Sequence, residues 1–87
     1  MKGCSKEWFY KLYKGKIQSY VARGEESLTK ICKTMETAME KGHVSKQDLE
    51  KMLIEVEIES VKPFIQDNYA IRHTRLEDIK RSIWTET

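Results

Sequence analysis

The chain has 87 residues, 39% hydrophobic and 34% charged, with a formal net charge of +2. That length fits one domain with a thin core, since folding at this size buries only roughly 60–65% of the unfolded chain's surface. The apolar content excludes wholesale disorder, and no apolar run approaches the roughly 20 residues of a membrane span.

The first helix is expected to start at Ser5, a good N-cap residue, with Glu7 in its positive first turn, and to run toward Arg23. Gly15 weakens it and is a candidate kink; Gly24 is a fitting stop. The second helix is expected over about Glu26–Lys41. Leu28, Cys32, Met35 and Met39 step by four, three and four, a stripe at helical period. Gly42 ends it.

Ser45-Lys46-Gln47-Asp48 opens the third helix as a capping box, with Leu49, Met52, Leu53 and Val56 facing inward. The stretch 39–50 resembles the joint of many short helical hairpins, a glycine stop followed by a serine cap. The second and third helices are therefore expected to form a central antiparallel hairpin. Ile54-Glu55-Val56-Glu57-Ile58-Glu59 alternates at the strand period. A helix reaching Val61 is favoured, because a strand here has nothing to pair with except a second chain. Pro63 marks a kink or a short linking segment, 63–70. Thr74-Arg75-Leu76-Glu77 has the pattern of a second capping box and opens the last helix, whose apolar face is Leu76, Ile79, Ile83 and Trp84. Residues 1–4 and 85–87 are expected to fray. The fold class is all-α: a small bundle of three main helices, a short linking segment and a C-terminal helix.

Charge is unevenly spread. Residues 1–23 carry six basic side chains against Glu7, whereas 24–61 carry five lysines against nine acids. The two regions can attract each other or meet different partners. Met1-Lys2-Gly3-Cys4 lacks an apolar signal core, so Cys4 and Cys32 read as free thiols of a cytoplasmic protein. Cys4, Cys32, His43 and His73 have none of the short spacings that preorganise a metal site. No phosphate loop or nucleophile motif occurs, and Glu36/Glu40 and Glu55/Glu59 read as solvated faces. Neither an enzyme, a cofactor nor a small-molecule substrate is expected.

The most informative segment is Lys6-Glu7-Trp8-Phe9-Tyr10-Lys11-Leu12-Tyr13-Lys14. On a helical wheel at about 100° per residue its apolar side chains, with Ile17, Tyr20 and Val21, span roughly 220°. Packing on one core needs only about 100°. Either this helix is central in the bundle, or its surplus face meets a partner. Trp8, Tyr10, Tyr13 and Trp84 are the candidate contacts for another protein or a second copy of the chain. The alternative partner is nucleic acid, through Lys6, Lys11, Lys14, Lys16, Arg72, Arg75 and Arg81. The acids of the third helix argue against a DNA-reading helix-turn-helix there.

Overall fold

The computed structural model describes residues 5–64, 66 and 68–84, and the side chain of Trp84 is not among what it describes. The expected fraying of 1–4 and 85–87, and Cys4, lie outside the described residues. Four α-helices follow one another: α1 (Lys6–Arg23), α2 (Leu28–Glu40), α3 (Lys46–Val56) and α4 (Tyr69–Trp84). A π-helical turn, Glu57–Val61, and a 3₁₀ turn, Lys62–Phe64, lie between α3 and α4. The described residues thus form a small all-α bundle, and no helix among them is long and apolar enough to cross a membrane.

Each of the first three helices starts on a serine. Ser5 accepts from the Trp8 amide at 3.2 Å and Ser27 from the Lys30 amide at 3.1 Å. Ser45 and Asp48 form the reciprocal cap read from the sequence, both bonds at 3.0 Å. Because Ser27 is the cap, α2 begins at Leu28, the first residue of its apolar stripe and two residues later than the expected span. Helix α1 is an unbroken α-helix through Gly15. It ends at Gly24, whose φ of 64° is left-handed. There Arg75 of α4 donates to the free Val21 carbonyl at 3.1 Å. Its guanidinium lies where a side chain at position 24 would stand, 2.9 Å from an ideal Cβ. A residue of α4 therefore finishes the end of α1, donating to a carbonyl that the helix itself leaves unsatisfied.

The core draws on every helix: Ile17, Tyr20 and Val21 from α1, Ile31, Met35 and Ala38 from α2, Leu49, Met52, Leu53 and Val56 from α3, and Leu76 and Ile79 from α4. Val44 and Val61 close it at the two connections. Helix α1 packs on α2, α3, α4 and the π turn, so it is the central element. Helix α2 packs on α1 and α4, and α3 on α1 and the π turn. The joint 41–45 is as short as expected, yet the main packing partner that α2 and α3 have in common is α1. The wide apolar arc of α1 gives each of them a surface to bury against.

The 54–59 segment is helical, which settles the helix-or-strand choice. Its buried series Leu49, Met52, Leu53 and Val56 resumes at Val61, five residues on. A continued α-helix would have turned Glu59 or Ser60 inward instead. Pro63 has no N–H to return to the Glu59 carbonyl, and the chain widens in the turn before it: the Lys62 N–H bonds the Glu57 carbonyl. Helix α4 starts earlier than the Thr74 pattern suggested. Asn68, at φ 59°, turns the chain, and its carbonyl accepts the Arg72 amide at 3.0 Å. Tyr69 and His73 stack one turn apart, and Arg72 bonds the Ser60 carbonyl at 2.9 Å. Thr74 is consequently an exposed residue inside the helix.

Two glycines of α1 are predicted to respond oppositely to alanine. At Gly15 an added Cβ meets nothing within 4 Å, so Gly15→Ala is expected to stabilise by about 0.5–1 kcal/mol through helix propensity. Gly24→Ala is expected to destabilise by about 1–2 kcal/mol from the left-handed backbone alone, and more if Arg75 is displaced. Urea melts of the two variants check both signs.

Candidate functional site

The aromatic half of α1 has two sides. The inner side is fixed by partners distant in sequence. Phe9 stacks on His43 with ring centroids 3.9 Å apart and planes 7° from parallel. The Tyr13 hydroxyl shares a 3.1 Å hydrogen bond with His43 Nδ1, its direction set by the ring tautomer. Tyr10 donates its hydroxyl to Glu55 Oε1 at 2.7 Å, and Lys51 lies 5.6 Å above its ring. One turn further, Lys14 bridges Glu55 and Glu59, each at 3.1 Å, and Gln18 donates to Glu59 at 2.9 Å. The joint between α2 and α3, α3 itself and the π turn are each tied to one face of α1.

These contacts move the titrations in consistent directions. Burial and then the Glu55 carboxylate hold the Tyr10 hydroxyl well above its ordinary value. The bonds from Tyr10 and Lys14 hold Glu55 below the usual carboxylate range. Burial alone would lower Lys14; its bonds to Glu55 and Glu59 outweigh that and raise it. The arrangement has a phenol, a carboxylate and an ammonium each held in its ordinary charge state. Its chemistry is that of a clamp.

The outer side of α1 is different. Trp8 is 49% exposed, touching Phe9 edge-on at 5.2 Å, and Leu12 one turn on is 37% exposed. Of the four candidate contacts, Trp8 therefore stands on the surface, whereas Tyr10 and Tyr13 are half-buried and hydrogen-bonded within the chain. Trp84 ends α4, and its side chain lies outside the described residues. The structure does not gather Trp8, Tyr10 and Tyr13 on one exposed face of α1. Leu12 is the neighbour that sequence reading missed as a contact. Its signal was present in the four-residue step from Trp8. Ile54, Ile58 and Ile71 are also exposed, at 58%, 55% and 48%. The first two are the outward half of the alternating segment.

The basic set divides. Lys6, Lys11 and Lys16 are exposed, and among the described residues none has a carboxylate within ion-pair distance. Lys14 is spent on Glu55 and Glu59. Arg72 lies 3.7 Å over the Phe64 ring and bonds Ser60, Arg75 caps α1, and Arg81 pairs with Asp78 at 3.1 Å. The seven are thus not brought together as one surface. Among the described residues no three His, Cys, Asp or Glu side chains are placed to hold a metal ion. Cys32 is a buried thiol of α2, raised above its ordinary value by that burial, with a Ser82 hydrogen bond opposing.

Fold and surface together define a small helical bundle with an exposed aromatic–aliphatic pair, Trp8 and Leu12, on its central helix. No protein-family model, curated protein or solved structure matches the chain.

The clamp carries a pH prediction. Glu55 sits below its ordinary 4.5 in the folded chain. Its contribution is therefore complete above pH 4.5 and is lost as pH falls through the lowered folded value. Melts of the protein and of Glu55→Gln are expected to differ by a constant amount from pH 5 to 8 and to converge toward pH 3. A gap that persists unchanged at pH 3 would contradict the clamp.

Proposed function

We propose that the chain is a non-enzymatic protein-binding module that holds a partner, another protein or a second copy of itself, on the outer side of α1 with Trp8 as anchor. One observation carries this reading: Trp8 and Leu12 lie one turn apart and exposed on a helix whose other aromatics are held inside. A half-exposed tryptophan leaves a large apolar surface in water, and tryptophan is among the side chains enriched at the centres of interfaces. The regulatory role and cytoplasmic setting expected from the sequence belong to this same proposal. Nucleic acid is the weaker reading, because the arginines and Lys14 already have partners inside the chain.

The test compares immobilised protein with Trp8→Ala and Leu12→Ala, each first checked by thermal melt. Neither side chain is buried, so both variants are expected to stay within about 1 kcal/mol of the parent. A species retained by the parent is expected to be lost from both variants. Equal retention on parent and Trp8→Ala would overturn the reading. Light scattering on the free protein separates a foreign partner from a second copy.

A further inference from the structure

The outer side of α1 is more than two exposed side chains. Trp8, Leu12, Gly15, Ser19 and Ala22 step by four, three, four and three residues, so they share one stripe along the helix. The stripe is large and apolar at its first half and small at its second. Two grooves adjoin it. One, of about 580 Å³, runs past Leu12, Gly15 and Ser19 toward Glu25, Glu26 and the buried Ile31. The other, of about 410 Å³, runs past Gly15, Ser19 and Ala22 toward Phe64 and Arg72. Gly15 and Ser19 are common to both, so the small residues form a ridge-free strip of helix between two walls. Among the described residues nothing lies within 4 Å of where a Cβ at Gly15 would stand.

Helices pack by laying ridges into grooves, and small side chains allow the axes to approach at the short end of the usual range of about 8–10 Å. The border of the stripe states the charge of its occupant. Lys11 and Lys16 flank Leu12 on either side, exposed and without a carboxylate in ion-pair reach among the described residues. Two copies of α1 laid parallel and face to face would set each of these lysines against its counterpart, and laid antiparallel with Gly15 against Ser19 would set Lys11 against Arg23, which disfavours self-pairing through this stripe. Glu25 and Glu26 stand at the far end of the first groove; Arg23 there pairs with Glu25, and Arg72 in the second groove is held by the Ser60 carbonyl and the Phe64 ring, whereas Lys11 and Lys16 stand in the Trp8 half.

We propose that this stripe seats an amphipathic α-helix of a partner protein, with an apolar face at three–four spacing and acidic residues bordering it beside Lys11 and Lys16. The proposal rests on the protein-binding reading of the same face and names the partner's chemistry. Trp8 and Leu12 supply the apolar contact, Gly15 and Ser19 the close approach, and the two lysines the selection for acids.

The probe is a phage-displayed library of random peptides of about 16 residues, long enough as a helix to cover the roughly 21 Å from Trp8 to Ala22. The full chain is the bait, with Trp8→Ala, Gly15→Phe and Lys11→Glu/Lys16→Glu as parallel baits whose folding is verified by circular dichroism. The Cβ of Gly15→Phe meets nothing within 4 Å among the described residues, and the lysine pair is exposed, so both variants are expected to remain folded. The expected result is enrichment of peptides with apolar residues three and four apart bordered by Asp and Glu. Their affinity is expected to fall by about tenfold or more on each variant bait. Enrichment of basic peptides, or no enrichment, would overturn the proposal. Peptides sensitive to Trp8→Ala but indifferent to Gly15→Phe and to the lysine exchange would overturn the helix seat while leaving Trp8 as an anchor. Peptides indifferent to all three would overturn both readings. Binding of a mixed-sequence DNA or RNA oligomer, abolished by the lysine exchange, would assign the face to a polyanion and overturn the proposal as well.

Discussion

Ile17, Tyr20 and Val21 of α1 are buried against three other helices and the π turn, and the placement of everything else follows from that burial. A fully buried side chain of this size is worth about 1.5–3 kcal/mol, in a chain whose whole stability is expected near the low end of about 5–15 kcal/mol. With α1 fixed as the centre, its length sets where the remaining elements attach. His43 and α3 hold the first half, the π turn the middle, and Arg75 of α4 the last carbonyls. A helix held on so many sides has one side left over, and that side carries Trp8 and Leu12.

Part of the uneven charge along the chain is neutralised by this arrangement. Basic α1 lies against the acids of α3 and the π turn, and Lys14 is shared between Glu55 and Glu59. Lys80 of α4 reaches Glu57 from the other side. Partly exposed pairs of this kind contribute little each. Their larger effect is to fix the rotation of α1 about its own axis, because a rotated helix would carry Lys14 and Tyr10 away from their acids. Rotation decides which aromatics are inside. Of the cations on α1 without an acid among the described residues, Lys11 and Lys16 border its outward stripe, whereas Lys6 lies on the side of Tyr10 and Asp48.

How far the sequence could be read differs from element to element for physical reasons. Ser45–Asp48 and Thr74–Glu77 carry the same capping pattern, yet only the first starts a helix. The pattern is local, and it does not register that Asn68 and the Arg72–Ser60 bond begin α4 five residues earlier than Thr74. Periodicity found α2, but its cap, Ser27, lies outside the apolar stripe. The widening at Glu57–Val61 was not legible, since the turn follows from where Pro63 and the core meet. The over-wide arc of α1 reads from the sequence as either a central position or a surplus face; in the structure the helix is central and Trp8 and Leu12 remain exposed. Which aromatics occupy that face was not legible, because Tyr10 and Tyr13 are claimed by Glu55 and His43, 45 and 30 residues away. Separations of that size are set by helix placement, which no local spacing encodes.

The central claim is that the outer side of α1 meets another protein. Site-specific photocrosslinking tests it most directly, with Leu12→p-benzoylphenylalanine in the full chain and, as control, the same group at Glu50, exposed on α3. Irradiation in the cells that make the protein is predicted to give a covalent adduct to a different polypeptide from position 12 and none from position 50. Adducts from both positions alike, an adduct only to nucleic acid, or no adduct at position 12 would contradict the account.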